Sequence, residues 1–320
     1  MIYIVLLLLS YFLTYFIKNY AIKKSLVANV NDRSSHTVPT PHGGGVAIAI
    51  PWFIGLIYLF FTQQIDSQLF YALMLGLVIS IVSFFDDIYE LSAKLRLIVQ
   101  SFIAICGTFF LGGFESLEFG LFTIENQVFT NIFAFFMIIW FINLYNFLDG
   151  INGYAGSEAV FLGIVGFLLF GDNHFIVLVV ATLGFLYWNY NKAKIFMGDV
   201  GSTLLGYNVA IFTLYYANQE PSNFWIWIIL YGVFWFDATL TLLRRKLNKE
   251  QLSQAHKKHA YQRLTQIGWS HLKVTNYSIA LNILLFIVAY SVTNIALAFC
   301  ISLALLYCAM LFVDMKKKFA

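Results

Sequence analysis

Two adjacent carboxylates, Asp86 and Asp87, close an apolar run in FFDDIYELSAKLRLIVQ, residues 84–100. Acids at such a border are costly to desolvate, so an unpaired one is expected to serve a function. Neighbours on a helix diverge by about 100°, so only one of the pair points straight at a shared site. Lys94 and Arg96 follow within reach, as partners for the acids or as phosphate contacts; a solvated loop with a surface ion pair is the plainer reading. A second group is FINLYNFLDGINGYAG, residues 141–156, where Asn143, Asn146 and Asp149 stand three apart and would share one helical face. Amide and carboxylate oxygens are hard ligands suited to Mg2+, although Asn also mediates helix packing in membranes.

Three further patches are of the same kind. In KIFMGDVGSTLLGYNVA, residues 194–210, Asp199 lies between Gly198 and Gly201 and opens an apolar segment. A helix N-terminus favours negative charge, from a side chain or from a bound phosphate. Capping alone explains the acid but not the glycines. In RSSHTVPTPHGGGVAI, residues 33–48, Gly43, Gly44 and Gly45 begin an apolar segment against their helix propensity, next to Arg33, His36 and His42. They serve either a flexible lead-in loop or a close backbone approach to a phosphate or another helix. In RRKLNKEQLSQAHKKHAYQRL, residues 244–264, His256 and His259 are spaced i, i+3, and Arg263 follows four later. On a helix these make one cationic stripe, fit to clamp a diphosphate or to lie on anionic lipid. Zinc would need more ligands, and no cysteine is near. Acids, amides, glycine turns and a His/Arg group together suit Mg2+-assisted phosphoryl chemistry on a polyanion.

The elements that must position these residues are membrane helices. Of 320 residues 60% are hydrophobic and 11% charged, with a mean hydropathy of +0.78, whereas a soluble domain carries about 25% charged residues. Eleven apolar segments recur, at 2–17, 45–61, 68–84, 96–111, 129–147, 155–170, 175–191, 201–218, 223–243, 273–291 and 295–313. The fold class is therefore all-α, a polytopic integral membrane bundle. The connections alternate between two sets. All 19 Lys and Arg belong to the set 18–44, 85–97, 148–154, 192–200, 244–272 and 314–320 or its borders. The other set has none, but carries Asp66, Glu115, Glu118, Glu125, Asp172 and Glu220. The positive-inside rule puts the first set in the cytoplasm, the N-terminus outside and the C-terminus inside. The first segment lacks a basic region before it and a cleavage site after it, so it reads as a retained helix. The net charge of +3 sits in the loops and does not point to nucleic acid. Cys106, Cys300 and Cys308 read as small buried hydrophobes. Residues 1–320 form one membrane-embedded domain, with loops 18–44, 85–97, 148–154, 192–200 and 244–272 building the active site.

The stretches PTPHGGG, DDIYELSAKLRL, NLYNFLDGINGYAG, FMGDVGSTLLG and HKKHAYQRL, in this order over residues 33–264, resemble the polyprenyl-phosphate N-acetylhexosamine-1-phosphate transferases. That family includes the phospho-MurNAc-pentapeptide translocase of peptidoglycan synthesis. HKKHAYQRL looks nearest the subgroup that starts O-antigen and related envelope glycans. His42 stands where this family often has Arg, and Asn152 where many members have a second Asp. The resemblance implies transfer of a HexNAc-1-phosphate, GlcNAc or a 6-deoxy-HexNAc such as FucNAc or QuiNAc, from a UDP-sugar to undecaprenyl phosphate, with release of UMP. It implies Mg2+, with Mn2+ as the alternative ion, on Asn146 and Asp199. Asp86 or Asp87 would act on the lipid phosphate. His256, His259 and Arg263 would hold the diphosphate or sugar, and Asn143 and Asp149 the nucleotide side. His36, Gly43, Gly44, Gly45 and Lys94 are the remaining expected substrate contacts. The expected location is a bacterial inner membrane, among lipids, with a homodimer open as the assembly. A multispan transporter or lipid flippase is the competing reading, and it requires ionisable residues at span centres. Glu158 and Asp237 are the exceptions to their near absence, and both lie near the cytoplasmic border.

Overall fold

The computed structural model describes residues 1–23, 27–28, 40–119, 122–252, 254 and 256–319. Arg33 and the expected substrate contact His36 lie outside the described residues. Among the described residues there are fourteen helices: α1 (Ile2–Lys23), α2 (Val46–Phe61), α3 (Ser67–Met74), α4 (Gly76–Tyr89), α5 (Ala93–Phe110), α6 (Gln127–Phe147), α7 (Tyr154–Phe170), α8 (Asn173–Asn189), α9 (Asp199–Gln219), α10 (Ser222–Leu230), α11 (Gly232–Leu247), α12 (Ala260–Gln266), α13 (His271–Ser291) and α14 (Ile295–Lys316). Two minimal antiparallel ladders join β1 (Val27–Ala28) to β2 (Thr40–Pro41), and β3 (Leu117–Glu118) to β4 (Thr123–Ile124).

The local reasons for these helices are ordinary. Asp66, Ser92, Asn126, Ser270 and Asn294 each precede a helix and accept backbone N–H groups of its first turn. Each expected apolar segment falls on helix, with α3–α4 as one and α10–α11 as another. Six helical stretches are long and apolar enough to cross a membrane, and the α10–α11 pair, bent by 76°, would be a seventh; α2, α7 and α8 are shorter. The bend falls at Tyr231–Gly232, where Gly232 lets the backbone approach Leu285 of α13 and Leu306 of α14.

The centre of the bundle is α9, with 17 of its 21 residues buried. It packs on α2, α3, α4, α5, α6 and α10. Contact with α6 is backbone-close, because a methyl at Gly206 would lie 2.5 Å from Phe141 O. A small second core of Ile229, Leu285, Ala298 and Leu306 ties α10 to α13 and α14.

Each of the two loop sets holds together. In the basic set Gly44 N and Gly45 N donate to Phe196 O and Met197 O, at 2.9 and 2.7 Å, and Tyr261 Oη donates to Phe147 O at 3.1 Å. In the acidic set Asn173 Nδ2 donates to Gln64 Oε1 at 2.8 Å, and Glu115 N to Asn218 Oδ1 at 3.2 Å. The cysteines depart from expectation. Cys106 is half-buried, and Cys300 and Cys308 are exposed on α14, among the exposed apolar side chains Leu297, Ile301, Tyr307 and Leu311.

Candidate active site

The first turn of α9 organises the site. Residues 41–45 lie along 196–197 through three backbone hydrogen bonds, which hold the glycine segment against the lead-in to α9. Gly45 is required by this approach: a methyl there would lie 2.6 Å from Gly201 Cα. Gly44 is packed against Phe185 and Phe196 O, and only Gly43, at φ +92°, has open space in front of it. The glycines therefore serve backbone–backbone contact at two of the three positions.

Asp199 begins α9 and faces the end of α6. Asn146 Nδ2 donates to Asp199 Oδ1 and to Ser202 Oγ, both at 2.9 Å. From α4, Asp87 Oδ1 accepts the backbone N–H of Asp199 at 3.2 Å, so this carboxylate caps α9. Its Oδ2 is buried without a hydrogen-bond partner, beside Gly198. Asp86 is turned elsewhere, as neighbouring helical positions require. It accepts Leu91 N at 2.7 Å and Arg96 Nη1 at 3.1 Å. Arg96 also approaches Asp199 Oδ2 to 3.8 Å, so one guanidinium bridges two acids.

Asn143 lies one turn before Asn146 and donates to Gln100 Oε1 at 2.7 Å. Gln100, Asn143, Asn146, Asp86, Arg96, Asp199, Ser83 and Thr203 line a cavity of about 30 Å³, room for one or two water-sized occupants. Asp149 does not continue the helical face, because α6 ends at Phe147. It sits in the following turn, where burial raises its carboxyl well above the usual range, with the charges of Asp199 and Asp87 adding to the effect.

The segment 256–263 differs most from expectation. The helical stripe is not formed: α12 begins at Ala260, with His259 as its cap residue and His256 in the preceding loop. The rings of His256 and His259 are 4.8 Å apart. Burial, helped by the charges of His259 and Arg245, pulls His256 down to about 4. Arg263 is buried and turns to α14, bonding Asp314 Oδ1 at 2.6 Å and Lys317 O at 2.9 Å. Tyr261 packs beneath Gly150 and docks this segment on the α6–α7 turn. Asp237 receives Ala260 N on both oxygens, at 2.9 and 3.0 Å, and Glu158 is bonded by Asn282, so neither stands as a lone acid in the membrane.

The structure thus brings Asp86, Asp87, Asn143, Asn146, Asp149 and Asp199 together. It adds Arg96, Gln100, Ser83, Ser202 and Thr203 to the site. Lys94 is exposed on the first turn of α5, away from this cavity's lining. Arg96 was visible in the sequence beside Lys94. Gln100 had no signal beyond being a lone amide in an apolar run.

Among the described residues, no three His, Cys, Asp or Glu side chains converge to hold a metal by themselves. The oxygens that could hold one are those of Asp199 and the Asn146 amide, and the orphaned Asp87 Oδ2. That suits Mg2+, which takes one or two carboxylates and fills its shell with phosphate oxygens and water. Arg96 pairs with Asp86 and Asp199, Asp87 has no cationic partner among the described ion pairs, and a divalent cation would offset the excess.

A sequence model described as glycosyl transferase family 4 matches residues 69–217. The chain is 32% identical to a probable undecaprenyl-phosphate N-acetylglucosaminyl 1-phosphate transferase of Bacillus subtilis, over 84% of this chain and 78% of that protein. It is 26% identical to the undecaprenyl-phosphate alpha-N-acetylglucosaminyl 1-phosphate transferase of Thermotoga maritima, over 87% of each. It is 29% identical to the phospho-N-acetylmuramoyl-pentapeptide-transferase of Staphylococcus haemolyticus, over 73% of this chain and 79% of that protein.

Proposed function

The chain belongs to glycosyl transferase family 4, and from that membership we propose that it transfers an N-acetylhexosamine 1-phosphate from a UDP-sugar to undecaprenyl phosphate. The observation that carries this reading is the meeting of Asn146 and Asp199, from distant stretches of chain, beside the partnerless Asp87 Oδ2. A phosphate oxygen of the lipid attacks the β-phosphorus, the bond to the α-phosphate bridge breaks, and UMP leaves. One phosphoanhydride replaces another, so the reaction is reversible and catalysis is positioning and charge neutralisation.

Asn146 and Asp199 would hold Mg2+, which when bound neutralises charge on the diphosphate. A phosphate monoester has a second pKa of about 6, so a strong base is not required at neutral pH. Asp87 would orient the attacking phosphate or the ion, while Asp86 fixes Arg96 so that its guanidinium stays beside Asp199. Asn143 and Asp149 would shape the nucleotide side, and His256 and His259 the diphosphate or sugar. The acceptor's tail has a matching surface. A cavity of about 460 Å³ lined by aromatic residues, among them Phe136, Trp140, Trp225 and Trp235, lies between α6 and the α10–α11 elbow, and α6 leads from it to Asn146. The sugar would be GlcNAc or a 6-deoxy-HexNAc, and the product the first lipid-linked unit of an envelope polysaccharide such as O-antigen. The basic loop set would face the cytoplasm of a bacterial inner membrane.

The test uses UDP-GlcNAc labelled in the β-phosphate and, separately, in the sugar, with membranes and undecaprenyl phosphate. Both labels are expected in the lipid product, with UMP released in equal amount. Sugar label without phosphate label would mean ordinary glycosyl transfer, and no UMP would favour a carrier.

A further inference from the structure

Both stems of the loop that carries His256 and His259 are fastened to one carboxylate. Arg244, in the last turn of α11, gives Asp314 a two-pronged bond, Nη1 to Oδ1 at 3.0 Å and Nη2 to Oδ2 at 2.9 Å. Arg263, in α12, adds Nη1 to Oδ1 at 2.6 Å. Asp314 itself lies in the last turns of α14. A planar fork such as that of Arg244 fixes geometry as well as charge. The Phe319 ring lies against the same cations, 5.3 Å from Arg244 Cζ, 5.5 Å from Arg263 Cζ and 5.6 Å from Lys258 Nζ. Within the loop, Glu250 links Arg245 and Lys258 at 3.1 and 2.7 Å.

We propose that Asp314 is a positioning residue: by stapling Arg244 to Arg263 it holds His256 and His259 against the α6–α7 turn, where the sugar donor would be bound. The inference rests on the functional reading above for what the loop binds, and on geometry alone for the staple. Closing a long loop in advance removes its ordering entropy from the binding step. Asp314 bonds Arg244 and Arg263 and is not among the residues lining the cavity of the acids. Its loss is therefore felt in donor binding, while the acceptor and the reacting centre on α4, α6 and α9 keep their places.

The experiment uses the full-length protein in nanodiscs. Initial rates of UMP release are measured against UDP-GlcNAc and undecaprenyl phosphate, alongside tryptic cleavage within residues 249–258. Asp314→Asn is expected to raise the donor KM roughly ten- to a hundredfold, the range for outer groups that orient ligands, with kcat and acceptor KM nearly unchanged and cleavage faster. Asp314→Glu should recover most of the donor affinity. If Asp314→Asn does not fold, Arg244→Lys, which keeps the charge and loses the fork, should give the same pattern more weakly. An unchanged donor KM with unchanged cleavage overturns the proposal, as does an equal loss in both substrates, which would mark a merely structural bond. If the wild type released no UMP, the functional reading would fall, and the cleavage rates alone would still decide the staple.

Discussion

Replacing Gly45 by alanine should inactivate the enzyme through geometry rather than through lost chemistry. Gly45 has φ −60° and ψ −27°, so alanine meets no backbone penalty, and at the cap position of α2, where Gly is favoured over Ala, it gains nothing in helix propensity. The added methyl would lie 2.6 Å from Gly201 Cα, where ordinary contact begins at 3.4 Å. The lead-in segment and α9 must therefore part by about 1 Å, and the 2.7 Å bond from Gly45 N to Met197 O is strained or lost. Overpacking of about 1–3 kcal/mol and a hydrogen bond worth about 1 kcal/mol add to a loss of roughly 2–4 kcal/mol. Asp199, two residues before Gly201, moves with the turn. A misplacement of that size at a reacting centre lowers turnover about 100-fold. UMP release and thermal unfolding are measured for Gly45→Ala and for Gly163→Ala, which overpacks the α7–α8 contact with Val179. The second variant should lose stability and keep turnover. Wild-type turnover in Gly45→Ala would refute the reasoning, as would equal turnover losses in both.

Other outcomes follow from the same geometry. Asp87→Asn keeps an oxygen to cap α9 and removes the charge, so thermal unfolding should be close to wild type while UMP release falls by about 100-fold or more. Gly150→Ala pushes a methyl to within 2.8 Å of Tyr261 Cζ and nearer its hydroxyl, and should destabilise; Tyr261→Phe, itself losing about 1 kcal/mol, should partly rescue it in a double-mutant cycle. His256, depressed to about 4 from an ordinary 6.5 chiefly by burial, favours the folded state as a neutral ring. Its contribution is present above pH 6.5 and lost as pH falls from there towards 4. Thermal melts across that window should decline for the wild type and flatten for His256→Gln.

Much of this architecture was readable in advance because it rests on local signals. Apolar runs bounded by Asp, Ser or Asn caps became helices, and hydrogen bonds such as Gly45 N to Met197 O and Asn173 Nδ2 to Gln64 Oε1 join loops within the basic and within the acidic set. Asp86, Asp87, Asn146 and Asp199 stood out because polar groups in apolar sequence need a reason. What stayed hidden depends on partners far along the chain. Arg263 has the look of a phosphate ligand until Asp314, 51 positions later, takes it. The pairing of residues 41–45 with 196–197 leaves no mark except glycines, which permit many conformations. Gln100 gains its meaning only from Asn143 on the next helix. The α10–α11 bend has no proline to announce it and relies on the space that Gly232 opens towards α13 and α14.

The most direct trial of the account is Mn2+ binding, followed by electron paramagnetic resonance in purified protein with UDP-GlcNAc present. Stoichiometric binding that Mg2+ displaces, abolished in Asp199→Asn and weakened in Asn146→Ala while both variants stay folded, is the expected result. Undiminished Mn2+ binding in the two variants would contradict it.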